Sequence, residues 1–186
     1  MNKIPKNDLS QIMNYARSKI IHLYEPSSVF GEPKDLRSSL QIDHKGVYLG
    51  VVDSSNNEII REGFMEPCKK NVLDSIDHVI SILFPQLKTK GYTSAYFKTS
   101  ILHICIIFDV IYMPNPMSWD ENEDGLYMQW GQKYKGMYLP YQIKRLNTHK
   151  IGVLDRLCGW ECRLVSNIWR SPEALLYSLK NSSISG

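Results

Sequence analysis

The sequence is poor in cysteine, in net charge and in long apolar runs, and each shortage excludes a class of protein. Four cysteines in 186 residues do not make the disulfide framework of a small secreted domain, and a chain of this length buries a core without one. The longest apolar run, Ile104–Ile111, is interrupted by Asp109 and falls far short of the about 20 residues that span a bilayer. The segment Met1–Asp8 lacks the apolar core of a signal peptide. We therefore predict a soluble, cytoplasmic protein with free thiols and no membrane association.

The chain also lacks the signatures of several common functions. A formal net charge of +3 is too small for the dense basic face that binds duplex nucleic acid, so no duplex partner is predicted. We find no glycine-rich phosphate loop, serine elbow or zincin motif. The acidic run Asp120–Asp124 lacks the glycine and the distal glutamate of a calcium loop, and is predicted to be solvated. The sequence therefore predicts neither a cofactor nor a metal.

The hydrophobic pattern predicts a mixture of helices and antiparallel strands. Helical spacing predicts a helix over Leu9–Ile21 and another over Asn71–Phe84, which stops at Pro85. A third helix begins at Thr148 and ends near Gly159, and the tail beyond it is either a helix or an edge strand. Strands are predicted over residues 46–52, 58–64, 101–113, 126–130 and 134–139, the third of them central in the sheet. Because hairpins dominate, we predict an α+β fold with a mainly antiparallel sheet flanked by helices.

The order of segments in the second half of the chain resembles the AMMECR domain family. The matching segments are Phe108–Pro116, Asp124–Met128, Gly136–Pro140, Val153–Cys158, and Trp169 with Leu176-Tyr177. They have the family's order of strand and proline step, hairpin, Leu-Pro step, Leu-Cys helix, tryptophan and final strand. The resemblance implies one AMMECR-like domain over residues 1–186, with a larger and a smaller subdomain.

The family's most recognisable motif, Leu-Arg-Gly-Cys-Ile-Gly, is only partly present. The corresponding segment is Ile59–Pro67, in which Arg61 and Gly63 match the motif and Glu66 fits the family's sequence just after the motif. The motif's cysteine is missing, and Cys68 lies a few residues downstream. Bacterial members of the family resemble partners of Memo-like and radical SAM proteins, so the resemblance implies a site more than a reaction.

The first function hypothesis is a ligand-binding or catalytic cleft between the Arg61–Gly63 strand and the sheet. Arg61 would bind a carboxylate or phosphate, and Glu62 would act as an acid or base. Such a domain would be an enzyme, or an accessory factor that acts with a partner enzyme in a biosynthetic or modification pathway. The candidate residues are Arg61, Glu62, Cys68 and His103 for catalysis, and Gly63, Glu66 and Tyr138 for ligand binding.

The cysteines offer several thiol chemistries, each with a structural alternative. Cys68 precedes a predicted helix and two lysines, which would favour its thiolate, but it also fits a passive turn residue. His103 and Cys105 share one face of a strand and could support acyl transfer, but a buried cysteine is usually a small hydrophobe. Cys158 and Cys162 have too few neighbouring ligands for zinc.

The second function hypothesis is a non-catalytic binding or scaffold protein. Aromatic and basic residues concentrate around the second hairpin, at Tyr127, Trp130, Tyr134, Tyr138 and Tyr141 with Lys133, Lys135 and Lys144. Such a surface could bind a peptide or stacked bases, although strand alternation sends half of the rings into the core. Both hypotheses leave the partner open, as an unknown protein or a small molecule.

Overall fold

The structure is a computed structural model that describes residues 3–31, 40–53, 55, 57–65 and 71–186. Its helices are α1 (Lys6–Tyr24), α2 (Val72–Thr89), α3 (Ser94–Phe97), α4 (Pro140–Leu146) and α5 (Lys150–Arg156), with a π-helix at Leu157–Glu161 and a 3-10 helix at Ile168–Arg170. Its strands are β1 (Gly46–Val52), β2 (Glu58–Phe64), β3 (Ile101–Tyr112), β4 (Gly125–Trp130), β5 (Tyr134–Tyr138) and β6 (Ala174–Ser185). None of these helices combines the length and the apolar character needed to cross a membrane.

Within the described ranges, six strands form one antiparallel sheet in the order β2-β1-β3-β6-β4-β5. The predicted α+β class and the central position of β3 are both confirmed. The chain divides into two compact units, one larger than the other. Unit 1 comprises Met1–Phe108 and Ser182–Gly186, and unit 2 comprises Asp109–Asn181, so β3 and β6 contribute residues to both.

The core of unit 1 lies between two amphipathic helices and one face of β1. The buried residues of α1 include Ile12, Ala16 and Ile20, those of α2 include Ile76, Ile80 and Leu83, and those of β1 are Val47, Leu49 and Val51. The side chain of Asn71 caps α2 by accepting a hydrogen bond from the Leu73 N–H at 2.8 Å. Because alternate residues of a strand project to opposite faces, Tyr48 and Gly50 lie on the other face of β1.

The prediction that α2 stops at Pro85 is wrong. The helix continues through Pro85 to Thr89, and Leu87, beyond the proline, is fully buried. A proline inside a helix costs about 3 kcal/mol because it removes one backbone hydrogen bond and crowds the preceding turn. Burying a leucine side chain offsets much of that cost, at about 2 kcal/mol. Tertiary packing therefore overrides the local helix-stop signal.

The core of unit 2 combines one face of the β4–β5 hairpin with α5 and the π-helix. Its buried members include Leu126, Met128, Leu154, Leu157 and Trp169. The tail predicted as a helix or an edge strand is a strand, β6, but it does not lie at the edge. It lies between β3 and β4 in the sheet and pairs with β4 along its first half, from Ala174 to Leu179. The acidic run is solvated as predicted at Asp120–Glu123, but Asp124 is buried.

Three details of the predicted third helix are wrong. His149 rather than Thr148 occupies the N-cap position, and no side chain caps the helix. The apolar pattern of this helix places Ile151 on the buried side with Val153, Leu154 and Leu157, but Ile151 is 39% exposed. Gly159 does not end the helix but lies inside the π-helix, which the packing of Leu157 and Cys158 in the core stabilises.

Candidate functional site

One face of the unit 1 sheet carries two of the predicted site residues in a single row. The register of β1 places Gly50 opposite Arg61 on β2 and opposite His103 on β3. Because cross-strand neighbours project to the same face, Arg61 and His103 flank a position that has no side chain. Two strand spacings separate their Cα atoms by roughly 10 Å. We call Arg61, Gly50, His103 and the adjoining Ser185 the polar row.

Ser185 extends the polar row onto β6. Its Oγ lies 2.6 Å from His103 Nδ1, and the backbone of Gly186 pairs with Leu102, which sets Ser185 opposite His103. Ser185 is exposed, whereas Arg61 and His103 are half-buried, so the row is accessible to solvent. Sequence reasoning missed Ser185 because its segment is rich in serine and carries no apolar alternation.

Glu62 lies on the other face of the same strand. It is opposite Leu49, a core residue, and its Oε2 accepts a hydrogen bond from Gln86 Nε2 of α2 at 2.8 Å. Its Oε1 accepts from the Gly63 N–H at 3.2 Å. Successive strand residues point to opposite faces, so the structure brings Arg61 together with His103 but separates it from the side chain of Glu62.

Close packing against β1 explains why residue 63 is a glycine. It is opposite Tyr48, and a Cβ on Gly63 would lie 2.3 Å from Tyr48 Cδ1 and 2.4 Å from the carbonyl oxygen of Val47. The tyrosine ring thus covers the glycine, an arrangement that a larger residue does not permit.

The other predicted ligand-binding and catalytic residues lie elsewhere. Tyr138 belongs to unit 2, where it is buried opposite Leu126. Glu66 and Cys68 lie outside the described residues. Among the members of the predicted set that the structure describes, it therefore brings together Arg61, Gly63 and His103 on one face of unit 1, and no others.

The described thiols are buried and held in the protonated form. Burial raises the pKa of Cys105 to about 12 and that of Cys158 to about 11. Burial, with the neighbouring Cys158 and Glu161, raises the pKa of Cys162 to about 12. Within the described part of the chain, no three His, Cys, Asp or Glu side chains come together as metal ligands. A thiol that is neutral near pH 7 is a poor nucleophile, which favours the structural alternative for Cys105.

We expect these three thiols to react slowly in the folded protein. A thiol with a pKa of about 11 or 12 has about 100-fold less thiolate near pH 8, or less still, than a thiol with an ordinary pKa. Labelling of a Cys68→Ser variant with a disulfide reagent should therefore be at least about 100-fold slower when the protein is folded than when it is unfolded. A thiol that reacts rapidly in the folded variant would contradict the burial of Cys105, Cys158 and Cys162.

The aromatic residues of the second hairpin divide between the two faces of the sheet. Trp130 packs against the unit 2 core, and Tyr134 lies beside it with ring centroids 5.6 Å apart. Tyr138 and Tyr141 are buried. Only Tyr127 projects away from the core, as strand alternation requires.

Tyr127 lies in a row of three tyrosine rings, two of which come from strands outside the β4–β5 hairpin. Tyr177 of β6 lies directly opposite it, and Tyr112 of β3 lies beyond Tyr177, with successive ring centroids 5.7 Å apart. Tyr112 is 51% exposed and the other two are half-buried. The strand register adds four further side chains to this face, Leu175, Gln129, Met137 and Lys135. We call these seven residues the tyrosine face.

The architecture is similar to that of a solved structure. The crystal structure of the uncharacterized protein PH0010 from Pyrococcus horikoshii matches 99% of this chain, which covers 94% of that protein, with a TM-score of 0.78. No family model and no curated protein matches the sequence. At 15% sequence identity, the likeness to PH0010 shows that the two chains share a fold.

Proposed function

We propose that this protein binds a small anionic ligand, a carboxylate or a phosphate, at the polar row. The observation that carries the proposal is the register that sets Arg61 and His103 on one face, on either side of Gly50. These two residues are more than forty positions apart in sequence, and each is a candidate by residue type and position alone. The AMMECR resemblance, which remains a prediction, adds that Arg61 and Gly63 match its motif.

The chemistry of the row suits an anion. A guanidinium offers a planar pair of N–H donors that matches a carboxylate or phosphate, and this makes Arg61 the anchor. A histidine changes charge near neutral pH and serves as a proton donor or acceptor, which is the role proposed for His103. The Ser185 hydroxyl at 2.6 Å from Nδ1 orients the imidazole. In this proposal the ligand lies over Gly50, and a partner enzyme or His103 itself performs any reaction.

The tyrosine face favours a second candidate function, protein binding by unit 2. Three neighbouring tyrosine rings with a methionine are typical of the apolar part of a protein interface. No described carboxylate forms an ion pair with the exposed Lys135 on the same face. This candidate corresponds to the scaffold hypothesis, with Tyr112 and Tyr177 added to Tyr127.

The anion proposal predicts a ligand-dependent gain in stability that requires Arg61. A panel of carboxylates and phosphates, including citrate and inorganic phosphate, is tested by thermal unfolding. A ligand at ten times its Kd stabilises the folded state by about 1.4 kcal/mol, which raises Tm by about 4 °C for a chain of this size. Arg61→Ala should abolish the shift, and Arg61→Lys should retain only part of it because lysine cannot bind bidentately.

Glu62→Gln is the matched control. It neutralises a charge on the neighbouring residue, but on the opposite face of β2, and glutamine keeps an oxygen that can accept from Gln86. The variant should show the same ligand shift as the natural protein. If no anion in the panel stabilises the protein, or if the shift persists in Arg61→Ala, the polar row is not an anion site.

A further inference from the structure

The segment after α5 exposes a large aromatic side chain. Trp160, in the π-helix, is 66% exposed, and Val165, a few residues on, is 71% exposed. Tryptophan is highly buried on average, so a ring that lies mostly in water calls for an explanation. π-helical turns of this kind occur often at functional sites.

Backbone hydrogen bonds hold the segment around Trp160 in a defined conformation. The Cys162 N–H donates to the Leu157 carbonyl at 3.0 Å, and the Leu164 N–H donates back to the Cys158 carbonyl at 2.9 Å. The second bond closes the turn through Arg163, which adopts a left-handed conformation with φ of 57°. Leu157 and Cys158, in the same π-helix, are fully buried. The exposed Trp160 ring is therefore attached to a well-packed segment of backbone.

The chain returns beside Trp160 after this turn. A Cβ built on Gly159 would lie 3.5 Å from Ser166 Oγ, so the segment that carries Val165 runs next to the residue that precedes Trp160. Trp160 and Val165 therefore lie on adjacent stretches of backbone.

Arginines occur along the same segment as Trp160 and Val165. The Arg156 guanidinium lies 5.1 Å from the centre of the Trp160 ring, and Arg163 is exposed in the turn. Arg170 lies 4.7 Å from the ring of Trp169, whose Nε1 donates to Asp155 Oδ1 at 2.7 Å. The hydrogen bond between Trp169 and Asp155 connects the 3-10 helix to α5 at the residue before Arg156. We call Arg156, Trp160, Arg163, Val165 and Arg170 the arginine–tryptophan surface.

We propose that the arginine–tryptophan surface binds an acidic segment of a partner protein, with one apolar side chain of the partner packed on Trp160. Charge complementarity supports this occupant. Arg156 lies over the Trp160 ring, and the two exposed charged residues of the segment 155–170, Arg163 and Arg170, are both basic. The two acidic residues of that segment, Asp155 and Glu161, are half-buried. Tryptophan and arginine are also the residue types that most often dominate protein–protein binding energy. A single-stranded nucleic acid fits less well, because three cations and one exposed ring make a short track for a phosphate backbone.

The proposal is tested with short random peptides displayed on phage and selected against the intact protein. We expect the enriched peptides to combine aspartate or glutamate with leucine or an aromatic residue. For a synthetic peptide of the consensus sequence, Trp160→Ala and Arg156→Ala should each weaken binding about 10-fold or more. Arg156→Lys should also weaken it, because lysine does not stack on the indole as arginine does.

Matched controls separate this surface from the other sites. Val29→Ala removes an exposed apolar side chain in unit 1 and should leave peptide affinity unchanged, as should Arg61→Ala in the polar row.

A loss of binding in Tyr177→Ala but not in Trp160→Ala would overturn the proposal and assign the peptide to the tyrosine face. Tighter Trp160-dependent binding of oligothymidylate, or a wild-type dimer that Trp160→Ala dissociates, would overturn it as well. Enrichment of peptides without acidic residues would also contradict it. Since Trp160 is mostly exposed, its alanine variant should keep the natural Tm, which confirms that the variant is folded.

Discussion

Replacing Gly63 with alanine is expected to destabilise the protein by about 3 kcal/mol. The added Cβ would lie 2.4 Å from the Val47 carbonyl oxygen and 2.3 Å from Tyr48 Cδ1. The tyrosine ring can rotate away, but the carbonyl belongs to the paired backbone of β1 and cannot move without separating the two strands. Overpacking of this kind typically costs 1 to about 3 kcal/mol, and the backbone contact sets this case at the upper end.

Whether Gly63→Ala destabilises or stabilises the protein distinguishes the effect of packing from the intrinsic conformational preference of glycine. Glycine inside a strand is ordinarily less favourable than alanine by about 0.5–1 kcal/mol, so conformational preference alone predicts that the variant is stabilised. Equilibrium unfolding in urea measures the difference directly. The control is Gly31→Ala, where no atom of the described residues lies within 4 Å of the added Cβ, and its free energy of unfolding should change by less than about 0.5 kcal/mol.

The outcome also decides what the match of Gly63 to the AMMECR motif means. If Gly63→Ala is as stable as the natural protein, the close contact with Tyr48 is not what requires glycine. If it is stable but loses the ligand-dependent shift in Tm, Gly63 contacts the ligand, as the resemblance implies. If it is destabilised as expected, the glycine is needed to build the strand that carries Arg61.

Local sequence signals predicted those helices and strands whose positions depend on their own residues rather than on distant contacts. The strands β1 and β2 begin and end where β-branched residues and the intervening turn cluster set them. The helix α4 was missed although a signal was present, because Pro140 occupies the first helical position and the Gln142 side chain accepts from the Leu139 N–H at 2.9 Å. A proline read as the end of a strand can equally begin a helix.

The candidate site depends on register, which no local signal contains. Arg61 and His103 could be selected by residue type, but their common row results from how β1 pairs with both neighbours. A shift of one residue in either pairing would place the two side chains on opposite faces. Ser185 was not identified from the sequence, and Tyr177 was named only as part of the family's final strand, because the faces that they share with other residues depend on how β6 pairs with its neighbours.

Substituting Asp124 by alanine is expected to destabilise the protein by about 3 kcal/mol, for an electrostatic reason. The side chain is 4% exposed, and its Oδ2 accepts hydrogen bonds from three donors. They are the Asp120 N–H at 2.9 Å, the Ser178 hydroxyl at 3.0 Å and Lys180 Nζ at 2.5 Å. Removing the carboxylate leaves a buried hydroxyl and a largely buried ammonium group without this acceptor, and the cost of desolvating them is no longer offset.

A double-mutant cycle separates that cost from the value of the ion pair itself. Lys180→Met replaces the ammonium by an apolar group of similar length, so Asp124→Ala combined with Lys180→Met should be more stable than Asp124→Ala alone. Glu121→Ala, in the solvated part of the same acidic run, should change the free energy of unfolding by less than about 0.5 kcal/mol. The Asp124 effect should persist in high salt, because a buried pair is little screened. A loss no larger than that of Glu121→Ala would mean that Asp124 is solvated after all, as its place in an acidic run suggests, and that the loop before β4 is held by other contacts.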